Sequence, residues 1–183
     1  FGPIRGGMAI TVSLIGVILA AATGIIGASV VLLGLLTVPA MLRQGYSKSL
    51  ATGTVCAAGT LGILIPPSIM LVIMGDQLGL SVGDLFMGAV FPGFILVTLF
   101  ILYILIYSYL KPEAAPLAID RPPVKLNMVW HVIATILPVV CLIFAVLGSI
   151  FMGIATVTEA SGVGALGATL LALFNKKLNW KVI

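Results

Sequence analysis

Residues 49–75 read SLATGTVCAAGTLGILIPPSIMLVIMG, an uncharged run in which Gly59-Thr60-Leu61-Gly62 leads into Ile65-Pro66-Pro67-Ser68 near the middle. A run of this length reaches the roughly 20 residues that cross a bilayer as helix. The proline pair forbids a continuous helix there, because two successive residues lack an N–H and their rings clash with the preceding turn. Unpaired carbonyls in lipid cost several kcal/mol each, so such a break survives only where protein or a wet cavity covers it. The expected element is a Pro-broken transmembrane helix over 45–75.

The rest of the chain has the same character. Of 183 residues 61% are hydrophobic and 8% charged, and the mean hydropathy is +1.31, whereas soluble domains carry about 25% charged residues. Further uncharged runs cover 6–42, 85–110 and 132–158. The composition therefore predicts an all-α, polytopic integral membrane bundle. The chain opens on Phe1 with no signal-peptide pattern, and reads as a fragment. Cys56 and Cys141 lie inside apolar runs without a neighbouring His or second Cys, which gives a disulfide or zinc site little support.

Charges mark the connections. Arg43 and Lys48 come first, then Asp76 and Asp84, then Lys111, Arg121 and Lys125, then Glu159, then Lys176, Lys177 and Lys181. Basic and acidic connections alternate, so single crossings put every basic one on the same side, which the positive-inside rule makes cytoplasmic. Tyr46, Tyr107, Tyr109, Trp130 and Trp180 lie near the basic clusters, where interfacial aromatics belong. The basic residues flank apolar runs instead of lining a helix face, so the net charge of +4 points to a membrane surface and not to nucleic acid.

The first run has to return to its own side, since Arg5 and Arg43 both belong with the basic connections. Gly24 and Gly27 interrupt it, and the limb over 28–42 is about 22 Å long at 1.5 Å per residue, short of a roughly 30 Å hydrocarbon core. The expected element is a re-entrant helical hairpin with its tip at 24–29; two short spanning helices with a tight turn are the alternative. The organisation is then a hairpin over 1–44, the broken helix over 45–75 and a periplasmic loop and transmembrane helix over 76–110. A Pro-rich cytoplasmic loop over 111–127 and a transmembrane helix over 128–150 come next. Residues 151–183 carry a Thr156-Val157-Thr158-Glu159-Ala160 motif and a last helix with a basic end.

Two interrupted apolar segments close in sequence are the pattern that marks an ion or substrate site in secondary transporters. The candidates are Gly27, Ala28 and Ser29 at the hairpin tip, and Gly59, Thr60, Gly62, Pro66, Pro67 and Ser68 at the second break. Carbonyl and hydroxyl oxygens are nearly all the polar chemistry available there, which suits a hard cation such as sodium, held by backbone carbonyls near Gly27, Ser29, Gly59 and Gly62. The structural alternative is close helix packing through small residues with a kink at the prolines. Thr156 and Glu159 stand at capping-box spacing; Thr156, Thr158 and Glu159 are secondary candidates for an ion or proton path. One His and five acids form no catalytic constellation, so an enzyme is not expected and no cofactor beyond the coupling ion is called for.

Gly45-Tyr46, Leu50-Ala51-Thr52-Gly53-Thr54 and the stretch from Gly59 through Pro66-Pro67-Ser68-Ile69 resemble the large membrane subunit of TRAP transporters, the tripartite ATP-independent periplasmic family. Gly75-Asp76, Leu85-Phe86, Pro92-Gly93 and Thr158-Glu159-Ala160 agree in order. The resemblance covers nearly the whole chain. It implies the first of two inverted repeats of an elevator-type subunit in a bacterial or archaeal cytoplasmic membrane. It also implies a small membrane subunit, a periplasmic substrate-binding protein, an organic acid substrate and sodium as driving ion. The chain departs from the family pattern at Gly24-Ile25-Ile26, where relatives carry a Gly-Ser-Ser tip, and at Val157, where they carry Pro. Side-chain ligands at Ile25 and Ile26 are thereby excluded. A non-transporting membrane scaffold and a passive channel are the competing functions; no repeated filter sequence favours the channel.

Overall fold

The computed structural model describes residues 4–117 and 126–174. All regular structure among them is helical: α1 (Gly7–Thr23), α2 (Ile26–Arg43), α3 (Lys48–Leu64), α4 (Ile69–Leu78), α5 (Val82–Leu110), α6 (Leu126–Phe151) and α7 (Val157–Phe174). Five segments among the described residues are long and apolar enough to cross a membrane, with α3 and α4 counted as one. The chain is a multi-pass helical membrane protein.

The first two helices form a hairpin with a two-residue turn. Gly24, at φ 62°, caps α1 in the left-handed conformation that a side chain would strain, and its N–H donates to the Ala20 carbonyl at 2.8 Å. Ile25 is extended, and α2 begins at once after it. Gly27, Ala28 and Ser29 therefore sit in the first turn of α2 and not in the break where the glycine spacing placed them. The second limb is consequently longer than expected: 18 residues, about 27 Å at 1.5 Å per residue. The shortness of that limb does not by itself decide between a re-entrant and a spanning hairpin.

Helix α3 packs against both limbs. In lipid there is no hydrophobic drive between helices, so close approach has to come from small residues that let dispersion contacts accumulate. Three glycines provide it. A Cβ on Gly16 of α1 would stand 2.6 Å from the Ala58 Cβ, one on Gly62 would stand 3.3 Å from the Ala20 Cβ, and one on Gly59 would run into the Val30 side chain and stand 3.2 Å from the Val30 Cα. The packing role weighed for the glycines is realised at Gly59 and Gly62.

At the opposite end from the tip, the base of the hairpin is tied to its surroundings. Tyr46, 5% exposed, accepts a hydrogen bond from the Met8 N–H at 3.2 Å. Burial pushes its phenol up, against the lowering effect of the Met8 and Ala9 backbone, so the group stays neutral. Tyr46 is thus a core residue and not the headgroup anchor that its place beside Arg43 and Lys48 suggested. The Ser47 N–H donates to the Ala114 carbonyl at 3.0 Å, joining the α2–α3 connection to the segment that follows α5.

Candidate functional site

The proline pair ends α3 at Leu64, and α4 restarts at Ile69. In an α-helix each carbonyl accepts from the residue four places on. Pro66 and Pro67 have no N–H to give, so the carbonyls of Gly62 and Ile63 lack an intrahelical donor. The carbonyls of Gly27, Ser29 and Gly59 fall inside α2 and α3 with donors at the required positions. Of the four carbonyl positions singled out in the sequence, only Gly62 is left open, and Ile63 joins it. Thr60 is exposed and donates its hydroxyl to the Ala57 carbonyl at 2.8 Å.

The hairpin tip and the second break meet. A Cβ on Gly24 would stand 3.2 Å from the Pro67 carbonyl oxygen and 3.6 Å from the Ile69 nitrogen. Beside this contact lies a cavity of about 250 Å³, lined by Thr23 and Gly24 of the tip, Pro67 and Ser68 of the break, Phe86 of α5, Val146 of α6 and Ser161 of α7, among others. Ser68 is 1% exposed, and its hydroxyl has no partner. It is the N-cap of α4 yet makes no side-chain cap, so the first-turn N–H groups of α4 lack that partner. Helix α2 likewise starts without a side-chain cap. The N-terminus of α4, with its partial positive charge, thus opens on this cavity through Ser68 and Ile69.

At the tip itself, Ser29 is fully buried. Its hydroxyl lies 2.6 Å from the Thr23 hydroxyl and 2.9 Å from the Ile25 carbonyl oxygen, while the Thr23 hydroxyl lies 2.9 Å from the Leu19 carbonyl oxygen; two hydroxyl protons are shared among these three contacts. Ala28 is exposed, and a Cβ on Gly27 would meet nothing within 4 Å. Thr23 and Ser161 were absent from the sequence candidates. Thr23 had a signal, since it is the last polar residue before Gly24; Ser161 had none.

Thr156 and Glu159 form the capping box their spacing predicts: the Thr156 N–H donates to the Glu159 Oε2 at 2.8 Å and the Glu159 N–H donates to the Thr156 Oγ1 at 3.4 Å. Both are exposed, as is Thr158, and none of the three lines the cavity, whereas Val157 between them does. No group of three metal-ligating His, Cys, Asp or Glu side chains occurs among the described residues.

The sequence profile described as "Tripartite ATP-independent periplasmic transporter, DctM component" matches residues 1–183. The chain belongs to this family. The C4-dicarboxylate TRAP transporter large permease protein DctM of Pseudomonas aeruginosa is 38% identical over 173 residues, 94% of this chain and 39% of that protein. The isethionate TRAP transporter permease protein DctMQ of Oleidesulfovibrio alaskensis is 33% identical over 174 residues, 94% of this chain and 27% of that protein. The ectoine TRAP transporter large permease protein TeaC of Halomonas elongata is 30% identical over 170 residues, 93% of this chain and 39% of that protein. The chain spans about two-fifths of the length of the first of these. TRAP permeases are transport proteins and not enzymes, and the absence of catalytic groupings from the sequence agrees with that.

Proposed function

We propose that this chain forms the hairpin half of the large membrane subunit of a sodium-coupled secondary transporter. It would import organic acids across a bacterial inner membrane, with a small membrane subunit and a periplasmic binding protein that delivers the substrate. The observation that carries the reading is Ser68: a buried hydroxyl without a partner, at a helix break that also frees the Gly62 and Ile63 carbonyls, beside a cavity shared with the hairpin tip. Buried polar groups are almost always satisfied, so an orphan at such a place calls for a ligand.

The chemistry fits both partners of a symport. Neutral oxygens at Gly62, Ile63 and Ser68 suit sodium, which prefers hard oxygen donors. The uncapped start of α4 suits a carboxylate or sulfonate. Among the described residues no cationic side chain lines the cavity, so backbone dipoles and the co-transported ion supply the positive potential. The differing solutes named for the relatives support a site that reads an anionic group and leaves the choice of solute to other parts of the machine.

The test is uptake of a labelled C4-dicarboxylate by the complete subunit, reconstituted with its small subunit and binding protein, with and without an inward sodium gradient. Gradient-driven accumulation that falls severalfold in Ser68→Ala supports the proposal. Uptake that follows the solute gradient alone would indicate a passive channel, and no uptake in any condition a scaffold.

A further inference from the structure

A second cavity, of about 230 Å³, lies between α1, α3 and α5 at the base of the hairpin, remote in sequence from the tip. Its walls are mostly apolar, with Leu50, Phe100, Tyr103 and Tyr107 prominent, and Ser49 and Thr54 add hydroxyls. Tyr103 and Tyr107 stack with ring centroids 5.8 Å apart. Thr54 is 4% exposed, and its hydroxyl has no partner.

The mouth of this cavity is basic. Lys48 precedes Ser49 in the first turn of α3, and the Lys111 ammonium stands 5.6 Å from the centre of the Tyr107 ring. The two lysines reach the same edge because the Ser47 N–H donates to the Ala114 carbonyl and the Ala114 N–H donates to the Lys111 carbonyl, both at 3.0 Å. Arg43 ends α2 nearby, and Arg5 adjoins Gly6, whose backbone packs on Ser108 of α5. Glu113 is the one acid in the described part of the connection after α5.

We propose that this cavity holds the glycerol-proximal part of one acyl chain of an anionic phospholipid, with the lipid phosphate between Lys48 and Lys111 and an ester carbonyl accepting from the Thr54 hydroxyl. The depths agree. Thr54 lies six residues beyond Lys48, about 9 Å along the helix, while a headgroup layer occupies roughly 5 to 8 Å on each side of the hydrocarbon core. A phosphate at Lys48 therefore puts the glycerol esters near Thr54 and the chain among the aromatic walls. Basic pockets between transmembrane helices on the cytoplasmic side are sites where anionic headgroups dock, and the basic connections put this mouth on that side by the positive-inside rule. The bound chain fills the gap between hairpin and α5 and ties the hairpin base to the bilayer.

The experiment uses the complete large subunit in phosphatidylcholine nanodiscs, doped with phosphatidylglycerol that carries a photoreactive group on one acyl chain. Adducts are mapped by mass spectrometry after illumination. The expected result is labelling of the Phe100 to Tyr107 peptide severalfold above that given by the equivalent phosphatidylcholine probe. Labelling should fall severalfold in Lys48→Gln/Lys111→Gln, which alters only exposed side chains. Gly53→Leu should also suppress it: Gly53 lines the cavity, and a Cβ there meets nothing within 4 Å, so the new side chain starts in open space and takes up part of the cavity. Equal labelling by the two lipids, unchanged labelling in Gly53→Leu, or no adduct on that peptide because the rest of the subunit covers it would each overturn the proposal.

Discussion

Thr23 and Ser29 face each other across the hairpin turn with their hydroxyl oxygens 2.6 Å apart. Each also has a carbonyl within reach, Leu19 for Thr23 and Ile25 for Ser29. Two hydroxyl protons serve the mutual contact and two carbonyls, so one carbonyl always goes without a hydroxyl donor. The pair closes the α1 end onto the α2 start.

Removing one hydroxyl should loosen the tip. Ser29→Ala is expected to cost about 1 kcal/mol, the net worth of a typical hydrogen bond. The check is a modest drop in the thermal midpoint of the purified complete subunit, with a larger relative loss of sodium-driven uptake.

Gly59 and Gly27 should respond in opposite ways. Gly59→Ala forces a methyl against Val30 and is expected to destabilise by about 1 to 3 kcal/mol, as overpacking does, with partial rescue by Val30→Ala. Gly27→Ala meets open space and should stabilise α2 by up to about 1 kcal/mol through helix propensity. Thermal unfolding of the four variants, including the double, decides it.

Much of the architecture was legible because it is written in breaks and charges. Pro66-Pro67 and Gly24 stop helices wherever they stand, and Lys, Arg and Asp mark the connections. What lies between was harder to read, for a physical reason. A soluble helix advertises its buried side by alternating apolar and polar faces; in α1 both faces are apolar, so nothing in residues 7–23 says which side meets protein. Tyr46 was misjudged on that account, since a tyrosine beside basic residues reads the same at a headgroup as in a core. The open carbonyl at Ile63 followed from the proline positions once the helix register was known, whereas the Thr23–Ser29 contact and the place of Ser161 depend on tertiary packing alone.

The capping box at α7 separates a structural role from an ionic one. Thr156→Ala should lower stability by about 1 kcal/mol, the usual cost of a lost N-cap, while Glu159→Gln keeps an acceptor for the Thr156 N–H. Neither should alter the sodium concentration at half-maximal uptake. A clear shift in Glu159→Gln would move that carboxylate into the ion path.

Orientation and hairpin depth are open to labelling in a background where Cys56 and Cys141 are replaced by Ala. Glu113→Cys is expected to react only from the cytoplasm and Gln77→Cys only from the periplasm. Ala28→Cys should react slowly with an impermeant periplasmic reagent, and more slowly still with sodium and substrate present, if the tip ends within the membrane; fast, unprotected reaction would mean two full spans.

The central claim, that the double-proline break opens a cation site against the hairpin tip, is tested most directly by the sodium dependence of uptake in Pro66→Ala/Pro67→Ala. Two restored N–H groups give the Gly62 and Ile63 carbonyls their helical donors, and helix propensity improves by about 3 kcal/mol per interior proline removed, so insertion and folding should survive. Uptake is measured with the complete subunit and its partners at matched membrane levels. The account predicts that the sodium concentration at half-maximal uptake rises severalfold and that the maximal rate falls. An unchanged sodium response at an unchanged rate would contradict it and reduce the break to a packing kink.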